Sequence, residues 1–108
     1  MTSTEQQMIT IFFKHDQAKN LEEIQRYLRD NGFWGVFPPE GMEIVNWVVM
    51  MGIGHVVTLR VPASRLRELN IIIEKHAWPA FRTEFYPTYD FLPFYQDFHA
   101  DALKQKQP

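Results

Sequence analysis

The 108-residue sequence contains no cysteine. Disulfides, thiolate metal ligands and a cysteine nucleophile are therefore excluded, and the fold must be stabilised by packing alone. No apolar run approaches the roughly 20 residues that cross a bilayer, and segment 1–7 lacks the basic and apolar regions of a signal peptide. These absences predict a cytoplasmic protein with no membrane partner.

The sequence also lacks a block of positive charge. Its 11 basic and 13 acidic residues give a net charge of −2, and because they are scattered, nucleic acid is not an expected partner. A ferredoxin-like domain that binds RNA would carry exposed aromatic residues on its third strand, and the segment predicted as that strand, His55–Val61, lacks them. No G-x-S-x-G, Walker, G-x-G-x-x-G or H-E-x-x-H motif occurs, so the sequence predicts no cofactor.

Two runs of β-forming residues in mid-chain are the feature around which the other segments are arranged. Glu43–Met51 and His55–Val61 flank Gly52-Ile53-Gly54, and Pro62 ends the second run. Glycine permits the backbone conformations of a tight turn, whereas proline cannot donate to a sheet. Gly41–Pro62 is therefore predicted to be a β-hairpin.

The flanking segments complete the order βαββαβ plus a tail. The predicted elements are a strand at Met8–His15, a helix at Leu21–Asn31 capped by Asn20 and ended by Gly32, a helix from Ser64 to before Pro79, a strand at Phe81–Tyr86, and an aromatic helix from Asp90 to about Lys104. The aromatic residues of the connection 33–41 are expected to fold onto the core. We predict one α+β domain over 1–108, a ferredoxin-like sandwich with two helices on one face of a four-stranded antiparallel sheet. Its core spans 8–89 and its extension 90–108.

Strand alternation predicts that both faces of this sheet are apolar. The expected helix-facing residues are Ile9, Ile11, Phe13, Val45, Trp47, Val49, Val57, Leu59 and Val61. The opposite, open face is expected to carry Thr10, Phe12, Ile44, Val48, Met50 and Val56. Such a face is too apolar to remain exposed, since large exposed patches usually mark interfaces. We therefore expect a homodimer that packs sheet against sheet, with the C-terminal tail contributing.

This element order, over about Met8–Tyr89, resembles the dimeric α+β barrel superfamily. That superfamily includes muconolactone isomerases, cofactor-free antibiotic-biosynthesis monooxygenases and stress-responsive barrel proteins. The resemblance implies two ferredoxin-like subunits whose sheets close into one barrel, and an aromatic tail that embraces the partner. Since members range from enzymes to proteins of unknown activity, it does not choose a function. The Asn and Trp roles of the monooxygenases are not transferred to Asn46, Trp47 and Trp78.

The topology brings the end of strand one, the start of strand three, the end of helix two and the start of strand four to one edge. His15, His55 and His76 are expected to share this edge, with Asp16 or a second histidine orienting the one that acts as general acid or base. The predicted substrate-binding residues are Arg82 and Lys14 for an anionic group, and Trp47, Trp78 and Tyr86 as apolar walls. Two alternatives stay open: the histidines are structural residues at strand and helix ends, or they bind a metal.

Two functions follow from these expectations. In the first, the protein is a small homodimer that binds, and in the enzyme case transforms, a small aromatic or anionic metabolite. In the second, it is a non-catalytic module whose assembly is its role. The first requires a pocket at the histidines, whereas a filled interior argues against catalysis.

Overall fold

The computed structural model describes residues 5–106. Its strands are β1 (Gln6–His15), β2 (Glu43–Met50), β3 (Gly54–Pro62) and β4 (Phe81–Thr88), and its helices are α1 (Leu21–Asp30), α2 (Phe33–Val36), α3 (Leu66–His76) and α4 (Leu92–Gln105). The strands form one antiparallel sheet in the order β2-β3-β1-β4. This α+β architecture is compatible with the predicted ferredoxin-like fold. Within residues 5–106 no helix combines the length and apolarity needed to span a membrane.

The ends of α1 follow the predicted local chemistry. The Asn20 side chain accepts a hydrogen bond from the Glu23 backbone N–H, which satisfies one of the free donors of the first turn. At the other end Gly32 has φ +72°, a conformation that costs glycine little. The prediction for α3 was wrong at its start, because a 3₁₀ turn over Ala63–Arg65 precedes the helix and Ser64 does not cap it.

The core lies between the sheet and the helices. It is formed by alternate residues of β1 and β3 together with the inward residues of α1 and α3, among them Ile11, Val57, Leu59, Leu69 and Ile73, which are all at most 1% exposed. Phe33 and Phe37, from the connection after α1, are also buried and pack on Phe13. Phe33 and Phe37 therefore fold onto the core, as the sequence predicts, whereas Trp34 is 56% exposed. The short helix α2 in this segment was not predicted, because the segment was interpreted as a connection.

A β-bulge near the start of β2 changes the predicted faces of two residues. The register passes from Ile44 opposite Leu59 to Asn46 opposite Thr58, so Val45 is the extra residue. Ile44 therefore shares the helix-facing side with Leu59, whereas Val45 borders a depression on the open face with Thr10 and Thr58. The predictions that Ile44 lies on the open face and Val45 on the helix face were both wrong. From Asn46 onward the predicted alternation holds.

Two features at the C-terminal end differ from a compact sandwich. β4 runs through Pro87 to Thr88, which an edge strand tolerates because one side of its backbone is unpaired. α4 then extends from the domain: every described residue from Tyr89 onward is exposed, and the radius of gyration is 18.0 Å. A compact chain of this length has a radius of gyration of about 13 Å. The difference indicates that α4 leaves its own domain rather than packing on it.

Candidate functional site

Three strand ends meet at one edge of the sheet and place two histidines close together. His15 is opposite Phe81 in the β1–β4 pairing, and His55 is opposite Phe13 in the β1–β3 pairing. The rings of His15 and His55 are 5.8 Å apart between centroids, and His15 stacks on Phe81. Both histidines are half-buried and face the helix side of the sheet. We call this group, with Trp47, the aromatic edge.

His55 is held by a hydrogen bond from Trp47. The indole Nε1–H donates to His55 Nδ1 at 3.0 Å, and an indole N–H can only donate. Nδ1 is therefore unprotonated, and the proton of the neutral ring resides on Nε2. Burial, and secondarily the nearby charge of His15, lower the pKa of His55 from its usual value. The hydrogen bond from Trp47 also favours the neutral ring, because a proton on Nδ1 would remove the lone pair that accepts this bond.

An open depression of about 530 Å³ lies beside His15. It is lined by His15, Asp16, Gln17, Lys19, Trp78, Pro79, Phe81 and Arg82. Two of these side chains serve the local backbone: Asp16 Oδ1 accepts from the Ala18 N–H, and Lys19 Nζ donates to the Pro79 carbonyl oxygen. Trp78 is 58% exposed and Arg82 is exposed as well. The depression thus combines an aromatic surface with a cationic group, the chemistry that an aromatic anion requires.

The remaining predicted site residues lie elsewhere. His76 Nδ1 donates to the Asn31 carbonyl oxygen at 2.6 Å, where the ends of α3 and α1 meet. Lys14 and Tyr86 both lie on the open face of the sheet and bind Glu84, at 3.1 Å and 3.0 Å. Tyr86 also pairs with Thr10, five residues along β1 from His15, which corresponds to about 17 Å. The structure therefore brings together His15, His55 and Trp47, with Trp78 and Asp16 at the depression beside His15. Arg82 is opposite Lys14 and lines the same depression from the open-face side of the sheet.

The open face carries a polar arrangement that the sequence did not suggest. Thr10 Oγ1 lies 3.0 Å from Thr58 Oγ1 and 3.1 Å from Thr88 Oγ1, so three strands are joined by a ladder of hydroxyls. The open face also carries two cross-strand ion pairs, one between Lys14 and Glu84 and one between Arg60 and Glu43. The hydrogen bonds from Lys14 and then Tyr86 lower the pKa of Glu84. β1 and β3 each contain one threonine, Thr10 and Thr58, and β4 ends in Thr88, but only the register of the strands identifies the three as partners.

The rings beneath the aromatic edge are closely packed. Phe13 lies 5.2–6.0 Å from Phe33, Phe37 and Phe81 between centroids, so the histidines rest on a filled interior. Over the range 5–106, no three histidine or carboxylate side chains are grouped so that they could hold a metal ion. Any ligand of this edge would therefore bind in the open depression rather than in the core.

Comparison with known proteins adds no family to this description. No family model, no curated protein and no solved structure matches the chain.

Proposed function

We propose that this protein is a homodimeric assembly module in which two copies pack their open sheet faces together and close the two sheets into one α+β barrel. The observation that carries the proposal is the composition of the open face. Its apolar side chains are exposed or half-buried, with Val48 at 45%, while two ion pairs and a set of three threonine hydroxyls on this face already pair within the sheet.

This combination matters because of the cost of desolvation. Burying an unpaired hydroxyl costs about 1–3 kcal/mol, and an unpaired charge costs several kcal/mol. On the open face Thr10 satisfies Thr58 and Thr88, and Glu84 receives both Lys14 and Tyr86. A second copy can therefore cover these groups without leaving their main hydrogen-bonding capacity unused. The exposed valines and Phe12 then supply the favourable burial of apolar surface.

Two neighbouring valines of β2 provide a matched test. Val48 is opposite Val56 on the open face, whereas Val49 is opposite His55 on the helix face and is more exposed, at 60%. The substitution Val48→Lys places an unpaired charge at the proposed interface in both copies, since a two-fold interface carries each change twice. We expect its dimer dissociation constant to rise at least about 100-fold, the equivalent of about 2.7 kcal/mol.

The measurement is the molar mass of wild type, Val48→Lys and Val49→Lys by light scattering over a concentration series. Circular dichroism spectra establish that each variant is folded. The proposal requires a dimeric wild type, a dimeric Val49→Lys protein and a folded, monomeric Val48→Lys protein. A wild type that stays monomeric throughout, or two variants that dissociate equally, would refute it.

A second candidate function, binding of a small aromatic anion, rests on the depression beside His15. Trp78 offers an exposed ring, and the cationic residue Arg82 lines the same depression from the open-face side. The candidate needs no nucleotide cofactor. Catalysis is not part of this candidate, because the interior under His15 and His55 is filled by aromatic rings.

Benzoate and its neutral analogue benzyl alcohol are suitable probes for this candidate. We expect benzoate to shift the NMR signals of Trp78 and His15, and Arg82→Gln to weaken benzoate binding about tenfold, which corresponds to about 1.4 kcal/mol. Benzyl alcohol, which lacks the charge, should bind the wild type and Arg82→Gln equally. Shifts elsewhere on the protein, or none, would eliminate the candidate.

A further inference from the structure

A narrow apolar groove crosses the outer edge of the sheet next to α3. It has a volume of about 320 Å³ and is lined by Ile9, Leu66, Leu69, Asn70, Phe85, Tyr86 and Pro87. Apart from Asn70 and the Tyr86 hydroxyl, these side chains are apolar. Three of them belong to β4, the edge strand, whose outer backbone groups have no strand partner in the sheet. A groove of this composition, along an uncovered edge, is suited to an amphipathic helix.

The same chain carries a helix of the matching kind. The rings of Phe91, the N-cap residue of α4, and of Phe94 and Phe98 within α4 follow one another along one side of the helix. The Phe91 centroid lies 5.9 Å from that of Phe94 and 6.3 Å from that of Phe98. Positions i, i+3 and i+7 are those that a helix presents to a groove. All three side chains are more than half exposed. Among residues 5–106, the aromatic side of α4 therefore packs in no groove, and no helix covers the groove beside α3.

The path of the chain indicates which groove α4 can reach. A depression on the open face is lined by Met8, Thr10 and Thr58 and, from the segment that leads into α4, by Tyr89, Asp90 and Phe91. α4 therefore leaves its domain on the open-face side, whereas the groove opens at the edge next to α3 and the helix layer. A helix that starts on the open-face side is directed toward a second copy packed there. Tyr86 belongs both to the open face and to the groove, so the two surfaces are continuous.

The area required by a stable dimer supports this placement. Four strands spaced by about 4.8 Å, each with eight residues that advance about 3.4 Å, give an open face of roughly 500 Å² per copy. Two such faces bury about 1,000 Å², below the 1,200–2,000 Å² of typical specific interfaces. The side of the helix from Phe91 to Phe98 is about 10 Å long and about 10 Å wide. Docking two helices in two grooves adds about 400 Å², and the sum of about 1,400 Å² lies within that range.

We infer that the Phe91/Phe94/Phe98 side of α4 docks in the groove of a second copy, against Leu66, Phe85 and Pro87 above the buried Ile9 and Leu69, so that each subunit holds the other across its β4 edge. This inference rests on the proposed dimer and names the second contact that the dimer makes. The ligand of the groove is thus the α4 segment of an identical chain.

The absence of native cysteine permits a test with single-cysteine chains. Asn70→Cys marks the groove, Asp101→Cys lies beside the Phe94/Phe98 side of α4, and Ala100→Cys lies on the opposite side of the helix. Asn70→Cys chains are mixed with Asp101→Cys chains, or in the control with Ala100→Cys chains, and oxidised. We expect a disulfide-linked heterodimer from the Asp101 mixture, at a yield several-fold above that of the Ala100 mixture.

The remaining outcomes separate this inference from the proposed function. If light scattering finds a dimer but the two mixtures cross-link equally or not at all, the groove contact is wrong and the sheet dimer stands. If a chain with both Asn70→Cys and Asp101→Cys closes an internal disulfide and remains a monomer, α4 binds its own groove and the inference is overturned. A wild-type protein that never associates would end both proposals.

Discussion

The substitution Gly54→Ala tests how closely the hairpin approaches β1 at the aromatic edge. Gly54 begins β3 and is opposite Lys14 of β1. An added Cβ would lie 1.9 Å from the Phe13 carbonyl oxygen and 2.9 Å from Lys14 Cα. Both contacts are with backbone, so no side-chain rotation relieves them, and the two strands must separate there.

The size of the effect follows from what that separation disrupts. Separation would weaken two hydrogen bonds: the one from the His15 N–H to the Ile53 carbonyl oxygen, at 2.7 Å, and a neighbouring bond of the β1–β3 ladder. Each loss costs about 1 kcal/mol of unfolding free energy. Alanine at φ +155° adds strain of about 1–3 kcal/mol. We expect Gly54→Ala to lose about 3–5 kcal/mol of unfolding free energy, which is a large part of the 5–15 kcal/mol of a typical domain.

Gly52→Ala is the matched control within the same turn. Gly52 also has a positive φ, +77°, but an added Cβ meets nothing within 4 Å. Its cost should be the backbone term alone, about 1 kcal/mol. Urea unfolding followed by circular dichroism measures both variants against wild type at one fixed protein concentration. Equal losses for the two glycines would show that the Gly54 clash is absorbed, and would refute the close approach.

Three further predictions concern individual side chains. Burial and the charge of His15 lower the pKa of His55 in the folded protein, so the unfolded chain binds the proton more readily. The contribution of His55 to the unfolding free energy should be fully present above about pH 6.5 and be lost as the pH falls through the folded pKa. NMR titration should give a higher His55 pKa in His15→Asn and in Trp47→Phe. If neither substitution moves that pKa, the assigned causes are wrong. Asn20→Ala should lose about 1 kcal/mol of unfolding free energy, since the Glu23 N–H loses its cap, whereas Gln25→Ala, on the exposed side of α1, should change little; equal urea midpoints for the two would contradict the capping role. The hydrogen bond to Glu84 raises the pKa of Tyr86, so Glu84→Gln should lower it toward its usual value in an ultraviolet titration of tyrosinate, and an unchanged titration would exclude that bond in solution.

The elements that local chemistry specifies were predictable from the sequence. The Asn20 side chain caps the first turn of α1, and Gly32 follows its last turn with a positive φ. Both effects involve residues that are close in sequence. The order of the four strands and of α1, α3 and α4 followed likewise from short apolar runs separated by glycine and proline, whereas α2 was not predicted. The tail helix was also predicted, and its bounds shift by only one or two residues.

The bulge in β2 and the place of His76 could not be predicted in this way. Residues 44–49 are apolar on both faces except for Asn46, so hydrophobic alternation does not specify the register there. Helical spacing placed His76 on the inward side of α3, but its partner is the Asn31 carbonyl at the end of another helix. Such a contact depends on how α1 and α3 pack, which no local pattern in either segment encodes.

The two histidines of the aromatic edge are chemically unequal, although the sequence presents them alike. His55 Nδ1 accepts from Trp47, whose ring is stacked with Trp34 and packed edge-on against Phe37, so movement of the imidazole would disturb the core. His15 instead lies on Phe81 and borders the open depression, and among residues 5–106 no side-chain hydrogen bond engages its ring nitrogens. His55 therefore fixes the hairpin against the aromatic core, whereas His15 is the histidine that can meet a ligand. In the benzoate titration, His15→Asn should weaken binding, while His55→Asn should act first on stability.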